Sequence, residues 1–560
     1  MASRILLKGT VLSDPVVRRI AAVAQRQIET RCPATVGTDL THPDYTVELF
    51  LDGTLPSETY AITVTGEQSV RIAGGDARGI LYGVGKWLRT GRYGAVGFTP
   101  GHWQGQSSPT KSWRTIYFAT HFFNYYQQAP IEEISDYIED LALWGMNTII
   151  VWYDYHHYLN AFEPDAVAMQ QRLLAILRSA KAIGLDVGLT CLANEAYAGS
   201  PPELHADFKT GRAIYQVELC PNKPDAMELM LKWFDEQLSI FAEVKPDYLV
   251  FGPYDQGGCA CATCRPWGAN GYLKIAQAKA ELARTRFPGI QVILSTWLFD
   301  YGRDQGEWEG LTQAFQNPPD WCQYIMADSH TTYPEYPLQK GVPGGLPLLN
   351  FPEISMWGMH PWGGFGANPL PTRFEGLRQT VKEHIDGGMP YSEGIYEDIN
   401  KVLCLQWYWG PERSAKEIVE EYATFEYAPE VAETVSEAID LLEANHGHIW
   451  PINWDNRRQY RFWRSSFGAD GTTHQAVALL AEADKHLTPQ ARTAWRWRIL
   501  YLRAMIDDEL AKSEGLVSTE ACERCFEELT EIFHAQESEY KCAPPTRSSI
   551  LAMRATERKV

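Results

Sequence analysis

From about residue 112 the chain settles into one rhythm: an apolar run, a polar loop, an amphipathic helix, then the same again. The apolar runs are "RTIYFAT" (114 to 120), "NTIIVWY" (147 to 153), "LDVGLTC" (185 to 191), "DYLVFG" (247 to 252), "IQVILST" (290 to 296), "CQYIMA" (322 to 327), "PLLNF" (347 to 351) and "GMPYS" (388 to 392). They read as continuous hydrophobic stretches without polar alternation, the pattern of strands buried on both faces. Between them lie helices with clear punctuation. In "APIEEISDYIEDLALWG", Pro130 marks the start, Ile131, Ile134, Ile138 and Leu141 share one face, and Gly145 marks the stop. Further helices are predicted over 164 to 183, 224 to 243 and 270 to 286. Eight such strands alternating with helices predict a (β/α)8 barrel rather than an open doubly wound sheet.

The flanks follow other patterns. Residues 1–105 alternate strands ("RILLKGT", "YTVELFLD", "YAITVTG", "SVRIAGGD") with a helix from Pro15 to about Arg31 and a second, "ARGILYGVGKWLR". In that second helix Ile80, Leu81, Val84, Trp87 and Leu88 line one face, so this is a small α/β domain. "SPTKSW" is a linker, the barrel occupies 112–410, and 411–560 is helical, from "SAKEIVEEYATFEY" through "CERCFEELTEIFHA". The predicted fold class is α/β: a TIM barrel with a small N-terminal α/β domain and a C-terminal helical region.

Composition narrows the partners. Over 560 residues the formal charge is −20 with no basic run, which argues against nucleic acid, since phosphate backbones are bound by clustered Lys and Arg. No stretch approaches the roughly 20 apolar residues that span a bilayer, and residues 1 to 30 carry charges throughout, so no membrane association and a cytoplasmic location are expected. The 19 Trp and 28 Tyr supply flat apolar faces of the kind that sugar C–H surfaces stack on, and a carbohydrate is the expected partner. The helical C-terminal region offers a surface for a homodimer.

Catalysis in such barrels occurs at the C-terminal ends of the strands, which turns strand boundaries into candidates. They are His121 and Asn124 after strand one; Trp152, Asp154, His156 and His157 after strand two; Asn194 and Glu195 after strand three; Tyr254, Asp255 and Gln256 after strand four. Strand five gives Trp297 and Asp300, strand six Asp328 and His330, strand seven Glu353, Trp357, His360 and Trp362, and strand eight Glu393, Glu397 and Asp398. A mouth of carboxylates and tryptophans without a phosphate-cradling loop suits a glycosidase, which needs one acid to protonate the leaving oxygen and a second group to stabilise an oxocarbenium-like centre.

Several segments resemble the family 20 β-hexosaminidases and relatives such as the family 67 α-glucuronidases. "SVRIAGGDARGILYGVGKWLR" is similar to the end of their N-terminal α/β domain, "WRTIYFATHFF" to their first barrel strand, "LALWGMNTIIVWYD" to their second, and "YSEGIYED" to their eighth. The resemblance implies that Arg114 and Asp154 bind sugar hydroxyls and that Glu393 is a sugar-binding glutamate. Family 20 ends strand four with an Asp-Glu pair, in which the Glu is the general acid; here the pair is Asp255-Gln256. A neutral amide cannot serve as that acid. Two readings stay open: Asp255 is itself the general acid with Glu393 or Glu353 as its partner, or the protein is a carbohydrate-binding relative without catalysis. The first assigns Asp255 and Glu393 to catalysis and Arg114, Asp154, Glu195, Tyr254, Gln256, Trp297, Asp328, Glu353, Trp357 and Trp362 to substrate binding. The expected activity is exo-acting hydrolysis of a terminal sugar, N-acetylhexosamine or a related one. A uronate-acting lyase or isomerase is a further alternative.

No cofactor is expected for catalysis. Cys259-x-Cys261-x2-Cys264 follows strand four, and Cys220 in "ELCPNKP" comes from a neighbouring loop. Four sulfurs would satisfy tetrahedral zinc in a structural role; reduced thiols in a tight loop are the alternative. Cys522 and Cys525 fall on a helical pattern and read as core.

Overall fold

The computed structural model describes residues 3–120, 124–209, 215–253, 258–300, 305–329, 332–354, 369–445, 471–512 and 519–536. The eight apolar runs close into a parallel barrel. Its strands are Trp113–Phe118, Thr148–Trp152, Asp186–Leu192, Tyr248–Gly252, Gln291–Ser295, Tyr324–Ser329 and Leu348–Pro352, with a split eighth strand, Gly387–Gly388 and Tyr391–Ser392. Neighbours pair in chain order, and the first strand completes the ring between the second and both pieces of the eighth. The split falls at Met389-Pro390, where proline has no N–H to give to a ladder.

Side chains alternate between two cores, as the two-residue period of a strand requires. Trp113, Tyr117, Ile150, Trp152, Val250, Ile293, Met326, Leu349, Phe351, Met389 and Tyr391 fill the barrel interior. The intervening strand residues, among them Ile116, Phe118, Ile149, Val151, Leu249 and Phe251, join the larger core between strands and helices. The surrounding helices are Ile131–Leu143, Pro164–Ala182, Pro224–Ile240, Gly271–Arg286, Glu307–Ala314, Glu335–Gln339, Pro371–Val381 and Asp398–Trp409. Three of them open on proline, where the missing N–H costs nothing.

The N-terminal domain is a mixed sheet of six strands backed by helices Pro15–Arg31 and Ala77–Arg89, and it extends to a last short strand, Gly105–Ser107. It sits against the N-terminal rim of the barrel through charged groups: Arg78 bonds Asp186 at the start of the third strand, and Glu58 accepts from Arg78, Arg114 and Asn147. Helices Ala415–Glu426, Ala432–Asn445, Thr472–Asp484, Trp495–Ala511 and Glu520–Ile532 form the C-terminal region, with Cys522 and Cys525 buried in its core. Among the described residues no helix is long and apolar enough to cross a membrane.

Candidate active site

The inward-facing series of the barrel continues into polar groups at its C-terminal rim. Asp154 stands two residues beyond Trp152, Asp328 beyond Met326, Glu353 beyond Phe351 and Glu393 beyond Tyr391. All four acids are buried. Because the strand period is two, an acid at that offset from an inward apolar residue is carried toward the barrel axis as the strand ends.

Two groups of contacts are resolved there. The first joins strands two and three around Glu195. Its Oε2 accepts from the Trp152 indole at 3.2 Å, and its Oε1 accepts from the Tyr155 backbone N–H at 2.8 Å and lies 3.4 Å from His156 Nδ1. Burial pushes the Glu195 carboxyl above its usual range, with the hydrogen bonds from His156 and Trp152 pulling the other way. His156 stacks on Tyr215 with ring centroids 3.5 Å apart, and its buried Nε2 has no hydrogen-bond partner among the described residues. Beside it, His157 Nδ1 lies 2.5 Å from Asp154 Oδ2. Burial works against the charged imidazole, but that bond and the Asp154 charge raise the His157 pKa above its ordinary value.

The second group centres on Glu393. Tyr391 donates to Oε1 at 2.8 Å and Tyr396 to Oε2 at 3.3 Å, so two phenols fix the plane of a fully buried carboxylate. Below it Tyr391 packs with Tyr117 and Phe351, at centroid distances of 5.7 and 6.1 Å. Glu353 is drawn to this side by a bridge that extends the seventh strand alongside Tyr391. Arg373 is pulled down to about 10 by burial, which the charges of Glu353 and Glu443 oppose. Asp328 adjoins Ser329, whose hydroxyl donates to Asn350 Oδ1 at 3.0 Å. Trp297, half-buried, opens the exit loop of strand five, where Leu298 and Asp300 take left-handed φ values of 56° and 60°.

Arg114 is a correction. It is the second residue of the first strand, at the opposite rim, and is fully buried there. Its guanidinium donates to the carbonyls of Gly145 and Lys111 at 2.7 and 2.8 Å and to Glu58 Oε2 at 2.8 Å. The Glu58 bond ties the N-terminal domain to the barrel, and no sugar bound at the C-terminal rim can reach it. Three further rim acids are also engaged elsewhere. The backbone N–H groups of Asp300 and Glu307 each donate to the other's carboxylate at the start of a helix. Asp398 accepts from Tyr137, Tyr422 and Arg496. Glu397 lies 3.2 Å from Lys401, both fully buried.

Tyr254, Asp255 and Gln256 lie outside the described residues, as do His121, His330, Trp357, His360 and Trp362. The chain on either side of 254–257 is tightly held. The Trp267 indole donates to the Pro253 carbonyl at 2.5 Å, and Asn194 Nδ2 donates to the Gly258 and Leu219 carbonyls at 3.1 and 2.9 Å. Asn194 is thus a loop tie. The sequence signals did not single out Tyr215, Tyr391 or Tyr396, whose roles depend on loops and a strand end folding over the rim. Strand parity was the available signal for Tyr391. The four cysteines Cys220, Cys259, Cys261 and Cys264 come together, with every sulfur within 4.8 Å of the others.

The barrel with its preceding α/β domain and helical region resembles the fold of glycoside hydrolases of family 20 and related families. The chain aligns over 99% of its length with 79% of a family GH115 4-O-methyl-α-glucuronidase with specificity for decorated arabinogalactans, at TM-score 0.64 and 11% identity. It aligns over 93% of its length with 64% of a family GH89 enzyme from Clostridium perfringens, solved in complex with GlcNAc-α-1,4-galactose, at TM-score 0.59 and 10% identity. The GH20 β-N-acetylhexosaminidase from Streptomyces coelicolor A3(2) matches 76% of this chain with 91% of its own, at TM-score 0.52 and 14% identity. At such identities the fold is what is shared. No family model matches the chain, and no curated protein does.

Proposed function

We propose that the protein is an exo-acting glycoside hydrolase that removes a terminal sugar by carboxylate chemistry. The observation that carries this reading is the convergence of Asp154, Glu195, Asp328, Glu353 and Glu393 from five strand ends on one rim, all of them buried. Asp255, which follows Pro253 in the exit from strand four, is proposed as the acid that protonates the glycosidic oxygen. Glu393, with its plane set by Tyr391 and Tyr396, is proposed as the group that stabilises the oxocarbenium-like centre or activates its attacker. Asp154 and Asp328 would bind hydroxyls, and Trp297 would face the sugar ring. Glu195 positions the Trp152 and His156 side of the rim. A sugar N-acetylated at C2, or a related one, is the proposed substrate.

The test is a panel of nitrophenyl glycosides, including hexosaminides and uronides, with the native chain and with Asp255→Asn and Glu393→Gln. Turnover should occur on at least one glycoside and fall in each variant by about 10²–10⁴-fold, the share that a positioned acid or base supplies. Gln256 supports a second reading, a binder without catalysis. Silence across the panel with retained sugar binding would establish it, and an unsaturated product from a uronide would instead make the protein a lyase.

A further inference from the structure

We infer that Cys220, Cys259, Cys261 and Cys264 hold one mononuclear zinc ion in a closed tetrathiolate site that locks the exit loops of the third and fourth barrel strands together. The sulfurs converge from two separate segments. Cys220 follows Leu219, whose bridge to His205 stiffens the loop before helix Pro224–Ile240, while the other three precede helix Gly271–Arg286. The Cys220 sulfur lies 3.9 Å from that of Cys261 and 3.8 Å from that of Cys264. A tetrahedral ion with zinc–sulfur bonds of about 2.3 Å requires sulfur–sulfur edges of about 3.8 Å. All four cysteines are free, so none is spent in a disulfide. An iron–sulfur cluster would carry its cysteines on several metal atoms and spread the sulfurs beyond mutual contact.

The surroundings suit thiolates rather than thiols. The Asp207 backbone N–H donates to Cys259 Sγ at 3.4 Å, Asn222 Nδ2 donates to Cys264 Sγ at 3.1 Å, and the Thr263 hydroxyl lies 3.4 Å from Cys261 Sγ. Asn222 is itself oriented by Lys274 Nζ, 2.8 Å from its Oδ1, which brings a positive charge toward a centre that four thiolates leave net negative around a dication. Such outer-layer donors orient and stabilise metal-bound sulfur. Cys259 and Cys264 are fully buried and Cys220 nearly so, while Cys261 is the partly exposed member. With four sulfurs bound, zinc keeps no open position for a water or a substrate, so the ion is a clamp and not a reaction centre. The clamp begins two residues beyond 254–257, on the loop whose Ala260 N–H also donates to the Asp207 carbonyl at 2.8 Å.

This inference does not depend on the glycosidase reading. The experiment is elemental analysis of the full chain purified without chelator from zinc-supplied cells, expected to give one zinc per chain. Replacing zinc by cobalt(II) should give sulfur-to-cobalt charge-transfer absorption and the intense ligand-field bands of a tetrahedral site. Both signals should vanish in a Cys220→Ser/Cys264→Ser variant. Should that variant not fold, the native chain still decides: a chelator should release the zinc, expose four additional thiols to a disulfide reagent and speed amide exchange over residues 258–264. Zinc absent from the native chain, iron in its place, or zinc retained in a folded double variant would overturn the site. A zinc-loaded chain without glycosidase activity would leave the clamp standing and remove only the function proposed above.

Discussion

At the scale of single residues, Glu195 is the acid whose environment makes the sharpest statement. Burial raises its pKa above the ordinary 4.5, and the donors around it recover only part of that cost. An acid that holds its proton more strongly folded than unfolded adds stability that is fully present below its unfolded pKa and is lost as pH rises through the folded one. His157, raised above 6.5 by Asp154, loses its contribution in the same direction. Glu195→Gln removes the first of these two terms. Urea midpoints taken between about pH 4 and 8 should therefore fall less steeply with rising pH in Glu195→Gln than in the native chain. Parallel slopes would show that Glu195 is ionised without penalty. Arg114 teaches a complementary lesson about legibility. A motif match gives it a sugar-binding role, yet counting along the strand puts it at the second residue, whereas the rim acids stand at the fifth position of their strands or beyond. Its true partner, Glu58, lies in another domain, and no local pattern links the two.

At the scale of elements, the exit loop of strand four is organised by a glycine and an indole. A side chain at Gly258 would overlap the Trp267 ring and the Asn194 amide oxygen, so the bare backbone is what allows this close approach. Gly258→Ala should cost about 1–3 kcal/mol in denaturant unfolding, as overpacking does, and should lower turnover of any accepted glycoside by displacing the adjoining 254–257. Gly289→Ala, at a position with open space around it, should stay within about 0.5 kcal/mol of native and keep full turnover. Equal effects of the two substitutions would contradict the packing account. The elements themselves were readable because their causes are local. Each barrel strand is an apolar run whose observed ends fall within about two residues of the pattern, and the helix Ala77–Arg89 buries the five residues expected on its inner face. The ties across the loops were not readable: Asn194 to Gly258 and Trp267 to Pro253 join residues whose proximity exists only once the barrel has closed.

At the scale of the whole molecule, the three parts are fastened by charges taken out of water. Glu421, in the C-terminal helix Ala415–Glu426, accepts from Lys86 and Arg89 of the N-terminal domain at 3.0 Å each and pairs with Arg413 at 2.7 Å. Arg31 joins Glu426 at 2.8 Å, and Arg496 reaches Asp398 at 2.8 Å and Asp140 at 3.0 Å, linking the last and first barrel helices to the C-terminal region. These pairs are the reason the N-terminal domain, barrel and helices should melt together and not in steps, because separating any two would expose partners that cannot all remain paired. Glu421 tests this. Burial raises its carboxyl, but Arg89, Lys86 and Arg413 outweigh burial and hold it well below 4.5. A depressed acid contributes stability that is present above its unfolded pKa and disappears as pH falls through the folded one. Glu421→Gln should therefore lose about 3–5 kcal/mol near neutral pH, since it strands Arg89 in the interface. Its deficit against the native chain should shrink as the solution is acidified below the ordinary carboxylate range. It should also turn a single calorimetric transition into two, the first reporting release of the C-terminal helices. A deficit that stays constant with pH, or a native chain that already melts in separate steps, would mean that this charge cluster does not couple the parts.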